Sequence, residues 1–357
     1  MAKQLRYVLV AIGSLQHAPK NELRKAAALA KASGARIELF HAIDEPDPVR
    51  SYPETASKEA VEEHRAAIVA KNQGRLERFA RDKSLQGLRV TCRAAWDHPP
   101  YDAIVRRALA THADLVVVAT HGHRFGARLL LRNTDWELIR HCPAPLLLVK
   151  SRRAYQKPGI LVAVDPLHAH AKPADLDAEL LGEASLFARL LHGSVHMFHA
   201  YMPLASVNAF SVATAPPVVL PPAFEQAHGQ QIARAIDRLA ERASIPRARR
   251  HIHMGDVASE MSALSRRIHA GLVVMGAVSR SALARLFIGN TAERVLDGLS
   301  CDVLIVKPRS FVARVPGAPS VRKSGRRPLH AGAPASRSRR EPHSSVIATR
   351  MVLPPIP

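Results

Sequence analysis

The segment His112–Arg124, "HADLVVVATHGHR", returns 157 residues later as His269–Ser281, "HAGLVVMGAVSRS". At the same offset "RNTDWELI" (132–139) falls on "GNTAERVL" (289–296), and "PLLLVK" (145–150) on "DVLIVK" (302–307). Earlier in the chain "ASGARIELFHA" (32–42) resembles "LLHGSVHMFHA" (190–200), and "YVLVAIG" (7–13) resembles "GILVAVD" (159–165). A period of about 150 residues is far too long for a solenoid repeat and suits a duplicated domain.

Each copy alternates two kinds of signal. Val8 to Ile12, Leu115 to Val118 and Leu146 to Val149 are short aliphatic runs without polar alternation, as in strands buried on both faces. Between them lie helical patterns such as "NELRKAAALAKASG", closed by Gly34, and "PYDAIVRRALATHA". Strand followed by helix, repeated, implies a parallel sheet covered on both sides. The expected fold class is therefore α/β: two tandem open parallel-sheet, Rossmann-like domains, residues 1–152 and 153–308, and a basic tail, 309–357. Ligands of such sheets sit beyond the carboxyl ends of the strands, where the strand order switches. That places Gly13 and Asp165, after the first strand of each copy, and Ala119–Gly122 and Gly276–Ser279, after the fourth, at candidate sites.

The 357 residues are 47% apolar and 23% charged, a globular composition with a formal charge of +21. The segment from Arg309 holds ten Lys and Arg against Glu341 alone, so it carries +9 of that charge. Rich in Pro, Gly, Ser and Arg, it cannot bury enough apolar surface to offset its ordering entropy, and disorder is expected. Its "RKSGRR" and "RSRR" clusters would attract nucleic acid or an anionic surface without sequence preference. Cys92, Cys142 and Cys301 form no CxxC pair, which points to a reducing compartment and inert core thiols. With no signal-like or membrane-spanning run, a cytoplasmic location is expected.

The second copy carries the chemistry of a phosphate loop. Gly276 lets phosphate approach the backbone at a strand end. Gly289 leads into "NTAE", where Asn290 and Glu293 have capping spacing at a helix N-terminus, a natural anion site. Asp165 is placed to accept hydrogen bonds from a sugar or base. Gly276-x2-Ser279-x9-Gly289-Asn290 resembles the G-x2-G-x9-G-[ST] pattern of the nucleotide-binding branch of the universal stress protein family. The first copy reads Ala119-x2-Gly122-x9-Arg132-Asn133, with Gly13 where the family usually has Asp. The resemblance covers roughly residues 5 to 308 and is closest to tandem bacterial members with two unlike halves.

The resemblance implies a pseudo-dimer of the two halves, paired through edge strands around Pro145–Val149 and Asp302–Val306, with further homodimerisation open. It implies a non-enzymatic stress protein acting through a small ligand or protein partners that the sequence does not name. Two alternatives stand beside that reading. One is an ATP sensor using Asp165, Gly276, Ser279, Arg280, Gly289, Asn290 and Thr291, with Gly122, Asn133 and Thr134 as the degenerate first-half equivalent. The other is an apolar-ligand carrier closed by the loop Tyr201–Ala223. Thr134 and Glu137 have capping-box spacing. The pairs His121/His123, His168/His170 and His251/His253, with His196 and His199, lack the convergent third ligand of a metal site, and a pH-dependent charge is the better expectation. No nucleophile elbow, acidic pair or Walker lysine is present, so no catalytic residue is expected.

Overall fold

The computed structural model describes residues 3–44, 57–120, 124–125, 128–129, 133–167, 175–203, 221–277, 290–313 and 315–316. Its centre is one sheet of ten strands. The first half supplies β1 (Tyr7–Ala11), β2 (Arg36–Ile43), β3 (Val90–Trp96), β4 (Leu115–Ala119) and β7 (Leu146–Val149). Two short strands, β5 (Arg124–Phe125) and β6 (Arg128–Leu129), pair only with each other. The second half supplies β8 (Gly159–Ala163), β9 (Ser194–Tyr201), β10 (Arg250–Met254), β11 (Ala270–Gly276) and β12 (Asp302–Val306). The order is β10-β9-β8-β11-β12-β7-β4-β1-β2-β3. Every pairing in this sheet is parallel except β12 with β7, in register Val303 with Leu148, Leu304 with Leu147 and Ile305 with Leu146. The edge-strand pairing expected between the halves is therefore what joins them.

Eight α-helices among the described residues cover the sheet. They are α1 (Lys20–Ser33), α2 (Lys58–Ala80), α3 (Pro100–Thr111), α4 (Asn133–His141), α5 (Leu176–Leu191), α6 (Pro222–Arg242), α7 (Val257–Arg267) and α8 (Asn290–Gly298). Alternation along the strands sorts the core into two layers. Val8, Val10 and Leu147 meet α1, α2, α5 and α6 on one face, while Leu9, Ala11 and Leu148 meet α3, α4, α7 and α8 on the other. Each layer contains residues of both halves and runs through the β7–β12 seam without interruption. Gly34 closes α1 in the left-handed conformation, as its place after the apolar run requires.

The seam is held by buried charges. Asp302, fully buried, accepts hydrogen bonds from the Lys150 and Ser151 amides at 3.0 and 2.8 Å and from the Tyr155 hydroxyl at 2.7 Å. Lys25 of α1 completes the set, 2.7 Å from Asp302 and over the Tyr155 ring. On the other side of the pseudo-dyad Glu183 of α5, also buried, pairs with Lys3. Two lysines cap helices reciprocally across the seam. Lys150 donates to the Leu296 carbonyl in α8, and Lys307 to the Arg140 carbonyl in α4 at 3.3 Å. Helix C-termini favour such cations. Burial pushes both ammonium pKa values down, that of Lys307 to about 8.

Packing continues past the expected boundary at residue 308. Arg309 pairs with Glu179, Val315 is buried, and Arg106 donates to the Pro316 carbonyl at 2.7 Å. Residue 314 and residues 317–357, with the two Arg clusters, lie outside the described residues.

Asp302→Ala leaves the Lys25 ammonium buried and unpaired and should cost about 3–5 kcal/mol in urea unfolding. Lys25→Met/Asp302→Asn removes both charges and should cost less than Asp302→Ala alone.

Candidate functional site

In each half the strand order switches between the first and fourth strands, β1/β4 and β8/β11. The chain leaving the first strand is fixed in the same way twice. The Ile12 amide donates to the Phe40 carbonyl at 2.8 Å, and His41 Nδ1 to the Ile12 carbonyl at 2.7 Å. In the second half the Val164 amide donates to Phe198 O, and His199 Nδ1 to Val164 O, both at 2.9 Å. The repeated Phe-His-Ala triplet thus sets the position of Gly13 in one copy and Asp165 in the other.

The contents of the two crossovers differ. The first half holds a cavity of about 330 Å³ beyond β1 and β4. Ile12, Phe40, Ile43, Ile104, Val118 and Leu138 give it apolar walls, and Asn72, Arg75, Thr134 and Asp135 bring polar groups. Gly13 lines it, and a Cβ built on Gly13 would meet no atom within 4 Å.

In the second half Asp165 follows β8 and Gly276 ends β11, with β8 and β11 in register at Val162 and Val274. Asp165 is buried, its amide donating to the Asp177 carboxylate at 3.2 Å. Asp165 Oδ2 is buried without a hydrogen-bond partner among the described residues. A Cβ on Gly276 would sit 2.8 Å from Leu176 Cδ2. Leu176 opens α5 and is fully buried, so Gly276 has a packing reason to be glycine independent of any ligand.

Other candidate residues are placed as follows. Asn133 and Asn290 are the first residues of α4 and α8, and Thr291 is exposed. Because α4 opens at Asn133, Thr134 lies inside the helix and is not its cap. Glu137 pairs with Arg140 and His141 instead of closing the expected capping box. Gly122, Ser279, Arg280 and Gly289 lie outside the described residues, as do Arg132, the pairs His121/His123 and His168/His170, and residues 204–220 of the apolar loop. Asn72 and Arg75 escaped the sequence reading because they come from the middle of α2, where no local motif marks them.

His251 and His253 share one face of the edge strand β10. His196 Nδ1 lies 3.1 Å from His251 Nε2 with the rings stacked, and His253 Nδ1 lies 2.7 Å from Glu260 Oε2. No group of three metal-binding side chains occurs among the described residues. Burial, followed by His196, Arg267 and His253, pushes the His251 pKa down to about 4. Burial likewise raises Cys92, Cys142 and Cys301 to about 11, 12 and 11, so none is a thiolate near neutral pH.

The two crossovers with their seam are the geometry against which comparison with known proteins is informative. Residues 5–150 and 159–307 each match the universal stress protein family. The chain belongs to this family. It is 28% identical over 300 residues to universal stress protein E of Photorhabdus laumondii, covering 83% of this chain and 93% of the relative. It is also 28% identical over 292 residues to universal stress protein E of Escherichia coli K12, covering 81% and 90%. Among solved structures, a functionally unknown protein from Pseudomonas aeruginosa PAO1 superposes with a TM-score of 0.62 at 22% identity, covering 85% of this chain and 93% of that one. A universal stress protein from Archaeoglobus fulgidus gives 0.55 at 14% identity, covering 84% and 98%. Such low identities establish the fold and leave ligands to be argued from side chains. No helix among the described residues is long and apolar enough to cross a membrane.

Gly276→Ala, which must displace Leu176, should cost about 1–3 kcal/mol. Gly13→Ala, which meets open space, should change stability by less than about 0.5 kcal/mol. Urea midpoints of the two variants check this. The histidine cluster makes a separate prediction. His251 has an unfolded pKa of about 6.5 and a depressed folded value, so the unfolded chain takes up the proton first. Its contribution is fully present above pH 6.5 and is lost as pH falls towards about 4. His196, His253, Arg249, Arg267 and Glu260 surround this titration. His251→Gln should flatten the fall in melting temperature between about pH 7 and 5.

Proposed function

We propose that this tandem universal stress protein is a non-enzymatic, cytoplasmic binding protein of the stress response. Its small-molecule site is the cavity at the β1/β4 crossover. The observation that carries this reading is a concave space of about 330 Å³ at a topological switch point, with apolar walls and a few convergent polar groups. Binding sites for small molecules have this size and composition. Phe40 and Leu138 offer surface for a flat or aliphatic body, and Asn72, Arg75 and Thr134 offer polar contacts.

A second reading, ATP binding by the second half, is favoured by one observation. Asp165 Oδ2 is buried and unsatisfied, as expected of an acceptor awaiting a donor from a ligand. Asp165 with Asp177 makes this crossover acidic, and Leu176 occupies the space against Gly276, so the first half is the stronger candidate.

The full chain, purified without added ligand and then denatured, is expected to release a small molecule detectable by mass spectrometry. Val118→Phe, which fills the cavity, should abolish its retention, and Asp165→Asn should not. Retention lost with Asp165→Asn alone, together with released ATP or ADP, would transfer the site to the second half.

A further inference from the structure

Beside the first-half cavity lies a larger groove of about 1200 Å³. Their linings share Ile12, Gly13, Ser14, Gln16 and Ala119, and a Cβ on Gly13 would meet no atom within 4 Å. The groove has a different chemistry. His17 precedes α1, Lys20 and Arg24 lie in its first turns, and Arg152 and Arg153 come from the chain after β7. Lys150 also lines it, but its ammonium is engaged by Leu296 O. The acid in the lining, Glu22, is buried.

The five basic groups are available. None of them makes an ion pair among the described residues. Asp82 feels the charge of Lys20 and Arg24, but its carboxylate accepts its hydrogen bonds from the Ser84 amide and hydroxyl. Arg24 is oriented by neutral acceptors, Asn21 Oδ1 at 2.7 Å, the Arg152 carbonyl at 3.2 Å and the Lys20 carbonyl at 3.3 Å. A guanidinium held in place without a carboxylate keeps its charge for an incoming anion. Pro19, the residue capping α1, makes no side-chain hydrogen bond to the helix, and the first-turn amides add their partial positive charge on the same side.

The duplication supplies an internal control. Phe40 and Phe198 are equivalent and lie 158 residues apart, as do the left-handed helix ends Gly34 and His192. At that spacing His17, Lys20 and Arg24 correspond to Asp175, Ala178 and Gly182, while Gly13 and Asp165, each the second residue past its half's first strand, lie 152 residues apart. The second half adds the buried Asp177. Among the described residues, one architecture is thus basic beside its first crossover and acidic at its second.

We propose that the first-half groove binds the phosphoryl groups of a small phosphorylated ligand. Its walls are α1 and the chain after β7, so it does not depend on the glycine-spaced loop. Several cations around one concavity match a ligand with more than one phosphate, because guanidinium forks pair with phosphate oxygens. The body of the ligand enters the adjoining cavity, and this clause alone rests on the function proposed above.

Inorganic tripolyphosphate, titrated calorimetrically into the full chain at about 0.1 M salt, tests the groove without the body. Binding is expected to weaken at least about tenfold in Arg24→Glu/Arg153→Glu. Gly13→Asp should weaken it about as much, whereas neutral Gly13→Asn should stay within about twofold of the parent. Arg337→Ser/Arg339→Ser/Arg340→Ser is expected to leave the affinity unchanged, and a short single-stranded oligonucleotide should not share the groove variants' loss. Equal affinity in parent and groove variants, loss through the tail variant alone, or groove-dependent binding of the oligonucleotide in place of tripolyphosphate would overturn the proposal. Val118→Phe separates the two readings. Tripolyphosphate binding retained with loss of the organic ligand supports both. Tripolyphosphate binding that never depends on Arg24, with an organic ligand that depends on Val118, removes the groove and leaves the cavity standing.

Discussion

The antiparallel pairing of β7 with β12 is the constraint on which the rest of the molecule depends. Each half ends on a strand whose outer edge would otherwise present a row of free amides and carbonyls. Pairing the two edges satisfies them and turns two five-stranded sheets into one of ten. Because the pleat continues through the seam, both core layers become common to the two halves. Each half then completes the other's hydrophobic core and caps the other's last helix.

Buried polar groups give this seam its specificity. Asp302 accepts four hydrogen bonds or charges from Lys25, Lys150, Ser151 and Tyr155, drawn from α1, the end of β7 and the connecting chain. A buried carboxylate of this kind is costly unless every partner is present, so it discriminates against a shifted register more than it adds stability. Lys307 ties the seam to the sites, since it donates both to Arg140 O in α4 and to Ala277 O just after Gly276. The last helix of the first half and the loop start of the second are held by one ammonium.

Duplication with a fixed scaffold lets the two crossovers diverge in charge while the fold stays constant. The histidine lock from β2 or β9 is kept in both copies, and so is the position of the residue after the first strand. What differs is the side chain placed there, Gly13 or Asp165, and the start of the following helix, which carries Lys20, Glu22 and Arg24 in α1 and Asp177 and Glu179 in α5. A site on a switch point can change its ligand class through such substitutions because the sheet beneath does not need to move.

The sequence by itself determined the duplication, the alternation of aliphatic strands with helices, and therefore two parallel α/β halves. These are periodic, local signals, and each copy checked the other. It also marked Asp165 and Gly276 as crossover residues, because strand ends are readable from apolar runs. It could not show what packs against each crossover residue. Gly276 looks like a ligand-binding glycine in sequence, and only the fold shows Leu176 lying against it. Gly13 looks like a lost acid, and only the fold shows that it lines both a cavity and a basic groove. Arg24, the Asn72/Arg75 pair of α2 and Arg153 are distant in the chain and share no motif, so tertiary packing alone brings them to one end of the sheet. The physical reason is that strand and helix formation depend on near neighbours, whereas the shape and charge of a concave site depend on which distant side chains the packed layers place around it.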